Sequence, residues 1–362
     1  MKKLVSIVCI VLSLYAQDDK TLKVVPVISS NPTAGTGVGV MGTLMYEADE
    51  KSSPSQALLS LQYTNTESYS LFVVNRLFFD EDRWQSNSIY THIYNNTTFS
   101  IDISDMPFPF LPDFIEPNFE VTIDAALQQF MYLARKNLYV GGQIFYVAQD
   151  FNAKNSAGSL FLISNGIESV HRGGLGGTLS YDTRSKSEKF YPKDATFINV
   201  SLNFFPKFMG SDVAFSNMLI NARKYIPGYN SNDVVALQFL AQYCSEHTPD
   251  GALAALGARS VIRGFPIGKY KTRFMNAVQG EYRYTINDTR FRIVPFVGYA
   301  HLSGGSEGTS LGNRDKDNGD YYSGGVGAHY ILSKKYQLDY RVDLAYSSDN
   351  ETSVYASLNQ AF

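Results

Sequence analysis

The chain has 362 residues, and its 31 Lys and Arg against 34 Asp and Glu give a formal charge of -3, which argues against a binder of nucleic-acid phosphates. Two cysteines, one of them inside the apolar amino-terminal run, leave no disulfide framework and no two-cysteine metal site in an exported chain. Aromatic residues reach 14%, with 25 Tyr and 24 Phe but one Trp, and such amphipathic rings collect at membrane interfaces.

Met1, Lys2 and Lys3 precede an apolar run from Leu4 to Leu14 that ends near Ala16. A positive start and a short apolar middle are the marks of an export signal, so residues 1-16 are expected to be cleaved and 17-362 to form the mature chain. Cys9 lies within the apolar run, too early for a lipid-anchored cysteine. The run is shorter than the roughly 20 apolar residues of a membrane-spanning helix, and no later run approaches that length, so the mature chain has no helical route through a bilayer.

Extended segments follow from end to end. In chain order they are predicted at 23-29, 35-47, 54-65, 68-78, 82-94, 118-133, 136-150, 167-184, 194-205, 211-224, 232-244, 271-285, 290-302, 320-332, 335-348 and 351-362. The second carries Gly37-Val38-Gly39-Val40-Met41-Gly42, which matches a dinucleotide-binding pattern, but Thr43, Leu44, Met45 and Tyr46 lead into a charged turn and no strand-helix alternation follows. Glycines easing close strand packing are the better reading. In the ninth segment Thr196, Ile198, Val200, Leu202 and Phe204 oppose Asn199, Ser201 and Asn203; in the eleventh Val235, Leu237, Phe239, Ala241 and Tyr243 oppose Gln238 and Gln242. In the fifteenth, Tyr336, Leu338, Tyr340, Val342, Leu344 and Tyr346 oppose Gln337, Asp339, Arg341 and Asp343. A period of two over this length specifies strands, not helices.

The connections sort by length. One set is short, as at Asp80 to Asp82, Ala134 to Arg135, Ile286 to Thr289 and Ser333 to Lys334; the other holds the long loops 95-117, 151-166, 245-270 and 303-319. Short turns at one end and long loops at the other predict an all-β transmembrane antiparallel barrel of about 16 strands in a bacterial outer membrane. A closed barrel pairs every backbone group without an edge, placing the Tyr and Leu face against lipid and the Asp, Arg and Gln face in the lumen. At the carboxyl end Val354, Ala356, Leu358 and Phe362 share one parity, and Phe362 resembles the terminal signal by which barrel assembly machinery recognises its clients.

Three motifs carry a family resemblance. Ile262-Arg263-Gly264-Phe265, in the long loop between strands 11 and 12, resembles the [Val/Ile]-Arg-Gly-Phe signature of the BamA/TamA superfamily of outer-membrane proteins. Tyr181-Asp182-Thr183-Arg184, followed by Tyr191-Pro192, is similar to that family's Tyr-Asp-Thr-Arg segment, and Glu281-Tyr282-Arg283 is similar to its Glu-x-Arg on strand twelve. The resemblance implies that this loop folds back into the barrel and that its arginine meets the inner wall. Parity turns Arg273, Gln279, Glu281 and Arg283 inward, so Arg263 is expected to bond Glu281 inside the lumen. Two departures stand out. Strand 13 has Phe296-Val297-Gly298-Tyr299-Ala300 where the family has Phe-x-Asp-x-Gly, which removes an inward carboxylate; and predicted strands begin so close to the cleavage site that no periplasmic POTRA domain is expected.

Other motifs are weaker. Asp315-Lys316-Asp317-Asn318-Gly319-Asp320 lacks the spacing and closing Glu of a calcium loop. Pro107, Pro109, Pro112 and Pro117, interleaved with Phe108, Phe110, Phe114 and Phe119, mark a rigid apolar loop. His92, His171, His247, His301 and His329 form no ligand-spaced pair, and no Ser with a nearby His can be named, so neither a cofactor, a metal nor an enzymatic activity is called for. The expected function is outer-membrane biogenesis or transport of lipid or polypeptide, with outer-membrane lipid, the assembly machinery and a separate periplasmic protein as partners; a passive pore or structural surface protein is the alternative.

Overall fold

The computed structural model describes residues 22–31, 35–98, 101–102, 114–164, 167–257, 262–265, 269–287, 289–305 and 317–362. The expected export signal therefore lies outside the described residues, as do Pro107 to Pro112, Asp315 and Lys316. One 16-stranded antiparallel sheet, with every strand paired to the next in sequence, forms the body of the protein. Its strands are β1 (Leu22–Asn31), β2 (Gly35–Tyr46), β3 (Ser55–Thr64), β4 (Tyr69–Phe79), β5 (Trp84–Thr98), β6 (Asn118–Arg135), β7 (Leu138–Ala153), β8 (Val170–Asp182), β9 (Ala195–Phe205), β10 (Phe215–Pro227), β11 (Val234–Cys244), β12 (Phe274–Thr285), β13 (Phe291–Ser303), β14 (Gly319–Ser333), β15 (Leu338–Ser347) and β16 (Thr352–Leu358). Because the strands alternate in direction, the long connections 99–117, 154–169, 245–273 and 304–318 share one end, and the short ones 80–83, 136–137, 286–290 and 334–337 share the other. These ends are called extracellular and periplasmic below.

Alternation decides which face each side chain takes. On β15 the apolar Val342, Leu344 and Tyr346 are 39%, 49% and 54% exposed on the outside, whereas Asp339, Arg341 and Asp343 are buried within. Aromatic pairs sit on the outer wall near both ends of the strands. Trp84 stacks with Phe79 and packs at a tilt on Tyr132 at the periplasmic end, where Phe291 also meets Tyr330; Tyr69 stacks with Tyr94 and Tyr243 packs at a tilt on Phe274 at the extracellular end. Two aromatic girdles around an apolar band are what a barrel in a bilayer carries. The glycines of β2 belong to this wall: a Cβ on Gly39 would lie 2.2 Å from the Leu61 carbonyl oxygen, so the neighbouring backbone tolerates no side chain there.

Two sequence expectations need correction at strand ends. Strand β15 begins at Leu338, not 335, and Tyr336 and Leu338 are buried at its base rather than exposed on the outer wall. The chain reverses just before them, with Gln337 in the left-handed region (φ 52°) and the Tyr336 amide bonded to Ser333 Oγ. Likewise β16 stops at Leu358, short of 362, because Asn359 turns left-handed (φ 67°) and donates its amide to the Asp339 carbonyl. The last residues bend inward, so Leu358 and Phe362 are buried and do not continue the outward series of Val354.

Strands β1 and β16 meet edge to edge. Val25, Leu332 and Leu358 form one apolar cluster there, and Tyr340 donates its hydroxyl to the Pro26 carbonyl. Among the described residues no backbone ladder joins the two strands, so the barrel is closed at this seam by side chains.

Candidate functional site: a loop pinned inside the barrel

The inner wall has two chemistries. Across one side runs a chain of carboxamides: Asn87 of β5 bonds Gln129 of β6 (2.7 Å), which bonds Gln143 of β7 (2.7 Å), which bonds Asn203 of β9 (2.6 Å), which bonds Asn217 of β10 (2.8 Å). Gly176 lets this row cross β8, since a Cβ there would meet Asn203 Oδ1 at 2.1 Å. A second row links Asn221, Gln238 and Gln279 across β10, β11 and β12. Within each row the inner amides both donate and accept, so uncharged polar groups are satisfied laterally, as a buried wall requires.

The other side, β11 to β15, is covered by the 245–273 loop. Ala254 and Ala255 pair with Lys271 and Thr272 in a short ribbon, and Leu256 donates its amide to the Tyr270 carbonyl. Leu256, Ile262 and Phe265 then pack on the inward-facing Leu240, Met275, Ala277, Ala300, Leu302 and Tyr321. At the extracellular rim Lys269 bonds Glu351 (2.6 Å) and Asp349 (3.1 Å), while Lys271 bonds Asp250 (2.6 Å). The Glu351 carboxylate, aided by Asp349, holds the Lys269 ammonium above its ordinary pKa.

Arg263 stands at the centre of this contact. One guanidinium nitrogen lies 2.7 Å from Glu281 Oε2 on β12 and the other 2.8 Å from Asp343 Oδ2 on β15, and its plane covers the Phe296 ring of β13 at 3.5 Å. Each carboxylate has further partners. Glu281 takes Arg283 Nε at 2.8 Å, and Asp343 takes Arg341 at 2.7 Å and His329 Nε2 at 3.1 Å. Asp339, next along β15, accepts from Arg292 and from the Gln360 amide at 2.6 Å. Buried charges are tolerated only when paired and hydrogen-bonded in this way.

Gly298 occupies the place where an inward strand-13 carboxylate was missed in the sequence. Its side-chain space is filled from the loop: a Cβ on Gly298 would lie 2.7 Å from Ile262 Cδ1. The second carboxylate comes instead from Asp343, two strands away. Gly264, at φ 113°, fits a turn that most residues resist, and donates its amide to Tyr355 Oη at 2.9 Å.

The remaining motif residues lie at the periplasmic end. Tyr181 is exposed on the outer wall and Thr183 closes the turn by bonding Thr196, while Asp182 points inward and receives Arg184 through two nitrogens at 2.9 Å and Lys189 at 3.1 Å. Burial pushes the Lys189 ammonium down from its ordinary pKa, against the pull of Asp182. Tyr191 is fully buried, with Arg292 3.9 Å and Arg283 5.4 Å from its ring centre. Arg283 also donates to the Phe362 main-chain oxygen (2.9 Å), and Tyr191, Tyr225, Val234, Ala236 and Phe362 form one apolar cluster. The structure thus joins Arg263, Glu281, Arg283 and Phe362 in one network and leaves Tyr181 to Arg184 apart from it.

The histidines do not converge. His92 and His301 pair with Asp124 and Asp320 on the outer wall, both at 2.8 Å, His171 lies between Asp150 and Asp212, and only His329 enters the network. Among the described residues no group of three potential metal ligands occurs.

No protein-family model and no curated protein matches the sequence. Solved structures match it in fold. The chain is similar to BamA from Haemophilus ducreyi lacking POTRA domains 1-3, at 12% identity and a TM-score of 0.54, over 94% of this chain and 70% of that one. It is similar to CdiB from Acinetobacter baumannii at 10% identity and a TM-score of 0.61, over 93% of this chain and 59% of that one, and to CdiB from Escherichia coli at 9% and 0.65, over 93% and 61%. This chain therefore spans about three fifths of the CdiB chains. Identities of this size establish a shared barrel architecture and nothing finer.

Proposed function

We propose that this chain is an outer-membrane β-barrel of the BamA/TamA superfamily that acts in outer-membrane biogenesis or in the transport of lipid or polypeptide, without enzymatic activity of its own. The observation that carries the reading is the buried Arg263 bridge, which ties a long extracellular loop to two separate strands of the inner wall. A passive pore gains nothing from fixing a loop to β12 and β15 at once, whereas a device that must stay closed until engaged does. The seam supports the same reading. Edge strands without a ladder leave backbone donors and acceptors open to an added strand or to a lipid, and the β1–β16 line is where such a client would enter. A separate periplasmic protein would deliver the client, and the assembly machinery would insert the barrel itself.

Single-channel recording tests this. Purified protein in a planar bilayer should give a closed trace, and Arg263→Ala should open it. A large steady current in the unaltered protein would establish the passive pore instead.

A further inference from the structure

Arg76 faces the lumen without a counterion. Its register partners are Gln56 and Asn87, both inward, and the side chain is exposed although it points into the barrel, so it borders open space inside. Among the described residues it makes no ion pair, and two residues further along β4 the Phe78 ring carries the Lys189 ammonium 5.4 Å from its centre, which brings the cations held by Asp182, Arg184 among them, to this part of the lumen. Arg223 reaches in from β10, donating Nε to Asn221 Oδ1 at 3.2 Å. Phe197 holds these two together, with the Arg184 guanidinium 4.5 Å and the Arg223 guanidinium 5.4 Å from its ring centre. One carboxylate, Asp182, serves Arg184 and Lys189. The neighbouring Asp82 is already engaged by the Ser53 amide and hydroxyl, both at 2.6 Å.

Four cations therefore face two carboxylates, Asp182 and the Ser53-bonded Asp82, which leaves an excess of positive charge. Like charges brought together inside a barrel repel, and an anion entering the open space beside Arg76 relieves that repulsion. Three planar guanidinium forks from different walls suit a tetrahedral oxyanion better than a single carboxylate. All of these residues lie near the periplasmic ends of β4, β8 and β10. We propose that Arg76, Arg184 and Arg223 form a phosphate-binding site at the periplasmic mouth of the lumen. The phosphate belongs either to a soluble solute or to a phospholipid headgroup.

The test is the unfolding midpoint of the full chain in an uncharged detergent at constant ionic strength, as inorganic phosphate replaces chloride and, separately, as phosphatidylglycerol is added to the micelles. A ligand that binds only the folded state raises the midpoint. Inorganic phosphate raising it identifies a soluble phosphate as sufficient; phosphatidylglycerol alone raising it identifies the headgroup. Arg76→Gln and Arg223→Gln should each weaken the response at least tenfold, while Lys335→Gln, which pairs with Glu47 outside the cluster, keeps it. Arg76→Gln breaks no bond in the described protein, so it should also melt no lower than the unaltered chain without phosphate. The proposal falls if neither ligand moves the unaltered protein, or if Arg76→Gln responds as the unaltered protein does.

Discussion

Replacing Arg263 by Met keeps the length of the side chain and removes its charge. Taking one partner from a buried ion pair costs about 3 to 5 kcal/mol. Here both abandoned carboxylates keep another cation, Arg283 for Glu281 and Arg341 for Asp343, which places the cost at the low end, about 3 kcal/mol. Every 1.4 kcal/mol is about tenfold, so the opening equilibrium of the loop should rise roughly a hundredfold. Amide hydrogen exchange reads this directly, because local opening limits exchange in a docked segment. The Leu256 and Gly264 amides, bonded to the Tyr270 carbonyl and the Tyr355 hydroxyl, are the reporters, and β4 to β7 should stay protected. An unchanged rate at both reporters would show that apolar packing alone docks the loop. Uniform loss of protection would show that Arg263 supports the whole barrel, not the loop. Either result refutes the reasoning.

Gly298→Asp places a carboxylate on β13 facing the loop yet should loosen the loop: the new Cβ meets Ile262 Cδ1 at 2.7 Å, and overpacking costs about 1 to 3 kcal/mol, so exchange at Gly264 should speed up about tenfold, and slower exchange would overturn the steric account. Asp233, in the turn before β11, is pushed up by burial but lowered further by the Thr285 amide (2.9 Å), the Tyr282 hydroxyl (2.9 Å) and Asn230, and its net pKa lies below the ordinary carboxylate value. A depressed native pKa stabilises fully above the unfolded value of about 3.9 and loses that contribution as the pH falls through the native value. Asp233→Asn should therefore cost about 1.5 to 3 kcal/mol at neutral pH and flatten the acid limb of a stability profile, and an unchanged limb would count against the assignment. Trp84, the sole tryptophan, sits in the periplasmic aromatic girdle, so lipids brominated near the headgroup should quench its fluorescence more than lipids brominated at the chain ends, and no quenching by either would place it outside the bilayer.

The barrel was legible because its walls obey one rule over and over. Each strand shows lipid-seeking residues on one parity and polar ones on the other, and the sixteen predicted segments coincide with β1 to β16 apart from their ends. The ends differ where a local bond overrides the pattern. Strand β10 starts at Phe215, not 211, because Ser211 Oγ bonds the Val213 carbonyl in a turn, and β16 stops where Asn359 goes left-handed. Parity also turned Glu281, Asp339, Arg341 and Asp343 inward correctly. It could not say which of them a loop arginine would choose. Asp343 lies 80 residues from Arg263, and only closure of the sheet brings the two together. The same holds for Tyr191 and Phe362, which reach Arg283 from opposite ends of the chain's second half.

The division of the inner wall gives the molecule a direction. Carboxamides on β5 to β10 satisfy one another without charge, so away from the periplasmic arginines that side needs no occupant. The β11 to β15 side carries Arg263, Arg283, Arg292 and Arg341 against Glu281, Asp339 and Asp343, and these carboxylates have their full set of partners only while the loop is docked and the carboxyl end is turned in. Withdrawing the loop strips one cation from each of Glu281 and Asp343 and exposes the Phe296 face. Both carboxylates retain an arginine, so the wall survives the loss while its charge shifts toward negative. Under the proposed transport role, a lumen that changes charge when its loop leaves, beside a seam that lacks a ladder, would couple what enters the barrel to what the edge strands accept.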